Sequence, residues 1–461
     1  MKKLLCSGLA AVLVLLAPVA RAQSEDEIRK KVIEDLKPWL EQEVQRRVKD
    51  ALAGTQTSAP PPAPGTAATP PPVSPSSSTW SLTNPIRLAS AGPAYLNLSL
   101  VADAVVGGST ESDVESLQGA HHDPNQRGFS VTAAEVVLDG AVDPYFKGLA
   151  ALTWVLEPSG ETAVELEEAW MQTTSLPWNL QARGGLFYAD FGRQNSQHPH
   201  SWSFVDQAVV LRRFFGADGL RNPGARLSWL APTPWYTELT LGVFNGSGEA
   251  AFSYRGEGTT DIAGGIPAER GLNSMSDLLY VPRLATSFNL TDHQTLLLGA
   301  SAAFGPNDSG PGANTQIYGL DAYWKWQPER AQRGFPFVSW QTEVLWRRYE
   351  AAARIDAADL VTAYPAETLR DWGLYSQVLW GFRPGWIAGL RGEFATGNDR
   401  SFASDLRTDR VRVSPNLTFL PTEFSKIRLQ YNYDHREQIG DDHTVWLQFE
   451  FALGAHAAHK F

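Results

Sequence analysis

Thr444-Val445-Trp446-Leu447-Gln448-Phe449-Glu450-Phe451-Ala452-Leu453 lies close to the C-terminal Phe461 and decides how the rest of the chain is read. Val445, Leu447, Phe449, Phe451 and Leu453 fall on one face of a strand; Trp446, Gln448, Glu450 and Ala452 fall on the other. A pleated strand alternates its side chains in this way. One such strand suits a soluble sandwich as well as a membrane barrel, so the deciding question is whether the pattern repeats.

It repeats. Alternation predicts sixteen strands, near 94–105, 128–138, 144–156, 162–174, 179–189, 223–231, 235–245, 278–290, 293–304, 315–327, 335–350, 368–382, 385–397, 410–420, 423–435 and 444–453. Short turns at Asp139–Asp143, Leu176–Trp178, Pro232–Pro234, Thr291–Asp292, Arg383–Pro384 and Pro421–Thr422 alternate with longer loops at 106–127, 190–222, 246–277, 305–314, 351–367 and 398–409. In 423–435, Ile427, Leu429, Tyr431 and Tyr433 oppose Lys426, Arg428, Gln430, Asn432 and Asp434. An apolar outside around a charged inside, with one end short-turned and the other long-looped, predicts an all-β, 16-stranded antiparallel transmembrane β-barrel. Trp235, Trp326, Trp380 and Trp386 near strand ends suit interfacial girdles, and Pro282 and Pro415 are expected to mark bulges.

The N-terminus sets the compartment. Met1-Lys2-Lys3, the apolar run Leu4–Pro18 and Ala20-Arg21-Ala22 read as a signal peptide over 1–22. The single cysteine, Cys6, leaves with it, which removes disulfides and thiol chemistry from the mature chain. Residues 23–53 predict an amphipathic, coiled-coil-like helix, with Ile28, Val32, Leu36, Leu40, Val44, Val48 and Leu52 at helical spacing. Residues 54–79 form a Pro/Ala/Ser-rich linker, and 80–461 is the barrel. Later segments carry no run of about 18 apolar residues that would make a membrane helix. The formal net charge of −11 argues against nucleic acid. The chain shows no nucleophile elbow, His-Glu-x-x-His or phosphate loop, so no enzyme activity, catalytic residue or cofactor is assigned.

A sixteen-stranded barrel encloses water, so function lies in its lining. Parity points Arg183, Arg226, Arg283, Lys325, Arg347, Arg391, Glu393, Arg410, Arg412, Lys426 and Arg428 inward. Arg391, Arg410, Arg412, Lys426 and Arg428 come from three consecutive strands and are expected to form a basic wall facing water. The loop 190–222 is aromatic and partly apolar, with Phe204, Val205, Val209, Val210 and Leu211, so it is expected to fold into the lumen as a constriction. Its candidate residues are Arg193, His198, His200, Asp206, Arg212 and Arg213. A His-x-His pair with a carboxylate can hold zinc, but loop histidines are usually solvated, and no metal is assigned.

Ala134-Glu135-Val136-Val137-Leu138-Asp139-Gly140 with Asp143-Pro144-Tyr145-Phe146, then Glu167-Glu168-Ala169-Trp170, Gly184-Gly185-Leu186-Phe187 and Phe191-Gly192, resemble the phosphate-selective porin (porin O/P) family over 128–222. The resemblance implies a trimeric sixteen-stranded barrel with a coiled-coil segment after the signal. It also implies an anion path through the constriction, where Arg193, Arg212 and Arg213 would stand for the family's arginines; the loop has no lysine. The sequence therefore predicts an outer-membrane porin, both ends periplasmic, passing small anionic or neutral solutes with a weak anion preference. Its expected partners are outer-membrane lipid, two further copies of itself and, through the N-terminal segment, the cell wall. The alternatives are a metal-ion channel or receptor, or a barrel anchor for the N-terminal helix.

Overall fold

The computed structural model describes residues 86–118, 120–156, 159–256, 258–397 and 408–454. The predicted signal peptide, helix and linker lie outside the described residues, as does most of the 398–409 loop. The strands are β1 Ala94–Ser109, β2 Gly128–Ala141, β3 Phe146–Leu156, β4 Thr162–Thr173, β5 Leu180–Tyr188, β6 Arg221–Leu230, β7 Tyr236–Phe244 and β8 Leu279–Thr291. They continue as β9 Gln294–Pro306, β10 Asn314–Trp326, β11 Phe337–Ala351, β12 Glu367–Arg383, β13 Trp386–Ala395, β14 Arg410–Thr422, β15 Ser425–Arg436 and β16 Gly440–Leu453.

Each strand pairs antiparallel with the next, and β16 closes the ring on β1 from Thr444↔Ser109 to Leu453↔Leu100. Closure leaves no unpaired barrel edge. An extended arm, Ile86–Ala91, turns back at Gly92 and pairs with the start of β1, where β16 has ended. All sixteen predicted strands are present. The stretch Thr444–Leu453 alternates along its length between buried residues and exposed or half-buried ones.

The outer surface is apolar. Leu239, Leu241, Leu284, Leu320, Leu390, Leu417 and Leu429 are exposed between two aromatic bands. Trp178, Trp229, Trp235 and Trp380 stand at the short-turn end; Phe129, Tyr318, Trp346 and Trp372 stand at the other. This is the lipid-facing band with girdles that the strands were expected to make.

Two expectations change. The loop rhythm is looser than predicted, because 327–336 at the short-turn end is longer than 157–161 and 437–439 at the opposite end. The prolines do not make bulges. Val413 faces Tyr433 and Asn416 faces Gln430 in unbroken register, so Pro415 only removes ladder hydrogen bonds. Pro282 keeps register with Leu241. The bulges fall elsewhere. Asp103 pairs with Ala133 and Ala104 with Val131, leaving Thr132 extra; Ala151 pairs with Glu168 and Leu152 with Leu166, leaving Glu167 extra. An extra residue re-aims the side chains after it. Thr132 and Ala133 are thus both buried, and so are Glu167 and Glu168.

Candidate functional site

The segment 189–220, between β5 and β6, folds into the lumen. Its apolar residues explain why. Phe191, Val210, Leu211, Phe214 and Phe215 pack with Phe187, Phe244 and Tyr254, and against the inward faces of Ala303, Ile317, Leu345 and Tyr375. The wall is shaped to receive them. A Cβ at Gly319 would lie 2.6 Å from the Phe191 ring, and one at Gly373 would lie 2.7 Å from Val210. Gly192 takes φ +60 and donates its N–H to Ser301 at 3.0 Å. Glycine alone adopts that conformation without strain.

The loop then crosses between two charged walls. At the basic wall Asp206 is fully buried. It pairs with Arg391, and with Arg412 at 3.0 Å, and accepts hydrogen bonds from Gln430 at 2.8 Å and Asn432 at 2.7 Å. Burial alone would raise its pKa, but the two guanidiniums and the amides more than offset this and hold it at about 2. Around it, Val205 N donates to Gln430 and Val209 N donates to Glu393. Asp434 takes Arg410 and Arg412, and Glu450 takes Lys426. Lys426 and Arg428 donate to the carbonyls of His200 and Trp202. The basic wall was expected to face water. Arg391, Arg412, Lys426 and Arg428 are instead at most 4% exposed, because the loop supplies Asp206 and a row of carbonyls to them.

At a second, acidic wall the Pro199–Ser201 turn sets His198 and His200 side by side, their rings 5.6 Å apart. His198 Nδ1 is 3.1 Å from Glu135 and 3.5 Å from Glu167, and His198 Nε2 is 2.9 Å from Glu168. His200 Nδ1 is 3.0 Å from Glu135. Thr153 and Tyr188 donate to Glu167 at 2.9 and 2.7 Å. All five members of this cluster are buried, so the expectation of solvated histidines fails here. Burial would lower the His198 pKa; Glu167 and Glu135 outweigh it and raise the value well above the usual imidazole range. The sequence reading missed Glu135 and Glu168 as lumen residues. Strict alternation from Glu165 sends Glu168 outward, and only the bulge brings it in.

The other candidates are distributed around the ring. Arg283 pairs with Asp321, Arg226 with Asp190, and Arg347 with Asp371 while also contacting the Arg213 carbonyl. Arg183 lies over Trp170, 4.1 Å from the ring centroid. Arg212 and Arg213 do not stand in the constriction. Arg213 turns toward the carbonyls of Thr396 and Thr408, and Arg212 lies over Phe252.

Beneath the loop is a cavity of about 260 Å³. Arg193, Lys325, Lys426 and Arg428 line it, with His200, Gln341, Gln377 and Ser339, and none of its lining residues is acidic. Arg193 stacks 3.9 Å over Tyr323 and donates to Gln341 at 3.0 Å.

No family model matches the chain. An uncharacterized protein of Aquifex aeolicus is 34% identical over 361 residues, covering 73% of this chain and 71% of the relative. Among solved structures, the anion-selective porin of Comamonas acidovorans superposes with a TM-score of 0.50 at 8% identity, covering 78% of this chain and all of that one. The outer membrane channel DcaP of Acinetobacter baumannii gives 0.49 at 10% identity, over 79% and 99%. At 8% identity the likeness to the Comamonas acidovorans porin is one of fold: a closed barrel of the outer-membrane porin type.

Proposed function

The chain belongs to the family of that Aquifex aeolicus protein, and from this premise and the lumen just described we propose that it is an outer-membrane porin for passive diffusion of small hydrophilic solutes. The observation that carries the reading is the closed ring with an apolar outside, a charged inside and a loop anchored across the lumen. Planar-bilayer recording tests it: the purified barrel is expected to give stepwise ohmic conductance, and a folded barrel that gives none would refute the reading.

Within that function we place a weak anion preference at the cavity beneath the loop. Arg391, Arg410, Arg412 and Lys426 are occupied by carboxylates, whereas Arg193 and Lys325 line a space without acids. Fixed positive charge there concentrates anions, and salt screens the effect. The resemblance to the phosphate-selective porins points to the same solute class. In this reading the signal peptide 1–22 exports the chain, both ends are periplasmic, and helix 23–53 with linker 54–79 assists assembly. A homotrimer fits a groove of about 660 Å³ on the outer face of β1 to β4, flattened by Gly140, Gly148 and Ala150. Removing residues 23–79 should weaken the trimer on native gels while leaving folded barrels.

A further inference from the structure

We propose that Glu135, His198 and His200 form a binding site for a divalent cation of the zinc type, which fastens the lumen loop to β2 and β4. The donor atoms are already gathered. One from each residue can be chosen so that all lie within 4.8 Å of one another. The individual separations are 3.1 Å for His198 Nδ1 to Glu135 and 3.0 Å for His200 Nδ1 to Glu135. Tetrahedral zinc with bonds of about 2.0–2.1 Å spaces its ligands about 3.3 Å apart, so small side-chain rotations suffice. Glu167, 3.5 Å from the same His198 nitrogen, stands in reach of a fourth position.

Three features distinguish this cluster from an ordinary ion-pair network. First, the surroundings hold the ligands as metal sites do. The second nitrogen of His198 faces Glu168 at 2.9 Å, the carboxylate–imidazole pairing that orients a ligating histidine. Glu167 is held by Thr153 and Tyr188. Second, among the described residues no fixed cation forms an ion pair with the glutamates. Glu135, Glu167 and Glu168 are all buried, and among the described residues their ion pairs are with His198 and His200 alone. Arg221 pairs with Glu165 and otherwise contacts the backbone carbonyls of Leu166 and Glu167, and Arg183 lies over Trp170 and donates to Gln172. With neutral imidazoles the cluster carries three negative charges, and a divalent ion removes two. Buried charges are otherwise retained only when paired. Third, an ion can reach it. His200 also lines the lumen cavity.

The site uses both bulges. Thr132 shifts the phase of β2 ahead of Glu135, and Glu167 shifts that of β4, so three glutamates converge where regular strands would turn Glu168 toward lipid. The reading stands apart from which solute passes the lumen; a failed conductance assay would leave it intact.

The test uses the full-length barrel in detergent, stripped with a chelator and titrated with Zn²⁺, with bound metal counted by mass spectrometry. One equivalent per chain is expected. Co²⁺ should give the intense visible spectrum of a four-coordinate site. Anomalous diffraction at the zinc edge should place its peak among Glu135, His198 and His200. His198→Ala and His200→Ala should each lower Zn²⁺ affinity at least 100-fold. Glu168→Gln should lower it about 10- to 100-fold while keeping the stoichiometry. His435→Ala, at an exposed histidine, should change nothing. Absence of stoichiometric Zn²⁺ on folded wild type would overturn the proposal. So would an anomalous peak elsewhere, a six-coordinate Co²⁺ spectrum, or undiminished binding in either histidine variant. The three wild-type measurements decide the matter even if a variant fails to fold.

Discussion

The loop that crosses the lumen meets two walls of opposite charge, and it answers each differently. On β13 to β15 the wall is cationic, and the loop brings Asp206, which receives two guanidiniums and two amides. On β2 and β4 the wall is anionic, and the loop brings two histidines to three glutamates. The first junction is largely matched: Asp206, Arg391, Arg410, Arg412 and Lys426 each have a fixed opposite charge. The second has an excess of carboxylate that only protons or an added cation can balance. A basic wall read as a selectivity surface is thus a latch, and histidines read as solvated make the junction that still has room for a ligand. Selectivity falls instead to cations outside the latch.

The largest effect should come from removing both junctions together. Replacing 196–208 with a short Gly-Ser bridge takes out His198, His200 and Asp206. The apolar anchor of Phe191, Val210 and Phe214 remains against Gly319 and Gly373. Single-channel conductance should rise several-fold. An unchanged conductance in a folded barrel would show that the loop does not limit the pore.

Next is the latch alone. Asp206→Ala leaves Arg391 with Glu393, and Arg412 with Asp434, each short of one buried partner. Breaking a buried pair on one side costs about 3–5 kcal/mol. The loop should become protease-sensitive and its channel noisier, with the barrel intact. Equal resistance in variant and wild type would mean that the apolar anchor alone fixes the loop.

A smaller effect separates latch from selectivity. Lys325→Glu with Arg193→Glu reverses charge at the cavity without touching Asp206. The reversal potential in a low-salt gradient should move toward cations and the difference should fade as salt rises. Arg391→Gln should move it far less. If their effects are alike, the latch also sets selectivity.

How much of this the sequence disclosed follows from what each feature depends on. The strands were legible because lipid outside and water inside impose period-two alternation at every position, as Ile427 to Asp434 shows. The lumen loop was legible because Val209, Val210 and Phe214 need burial that an exposed loop does not offer. The partners were not. Asp206 lies about two hundred residues from Arg412 along the chain, and nothing local marks the pair. Glu168 was misplaced because a bulge breaks alternation with one inserted residue. Arg212 and Arg213 were misplaced because the Val209–Phe215 helix turns them toward neighbouring loops, which periodicity in strands cannot report.

The smallest effect is that of acid on the latch, and its sign is fixed. Asp206 has its pKa lowered from 3.8 to about 2 in the folded chain, because Arg391, Arg412 and Gln430 together outweigh its burial. A lowered carboxylate pKa favours folding at pH values above the unfolded value, and that stability is lost as pH falls through the folded one. The shift corresponds to about 2 kcal/mol, present at pH 5 and lost between about 3.8 and 2. Asp123 also faces this group. Burial and the charge of Asp206 raise its pKa well above 3.8, so it protonates earlier on acidification and removes a repulsion before the latch weakens. Loop noise should therefore stay flat or fall slightly on the way down to pH 4, then increase below it. Asp206→Asn, which cannot titrate, should be noisy throughout and lack the step below pH 4. If that variant shows the same acid step as wild type, other carboxylates loosen the loop, and the two junctions differ less than their structures imply.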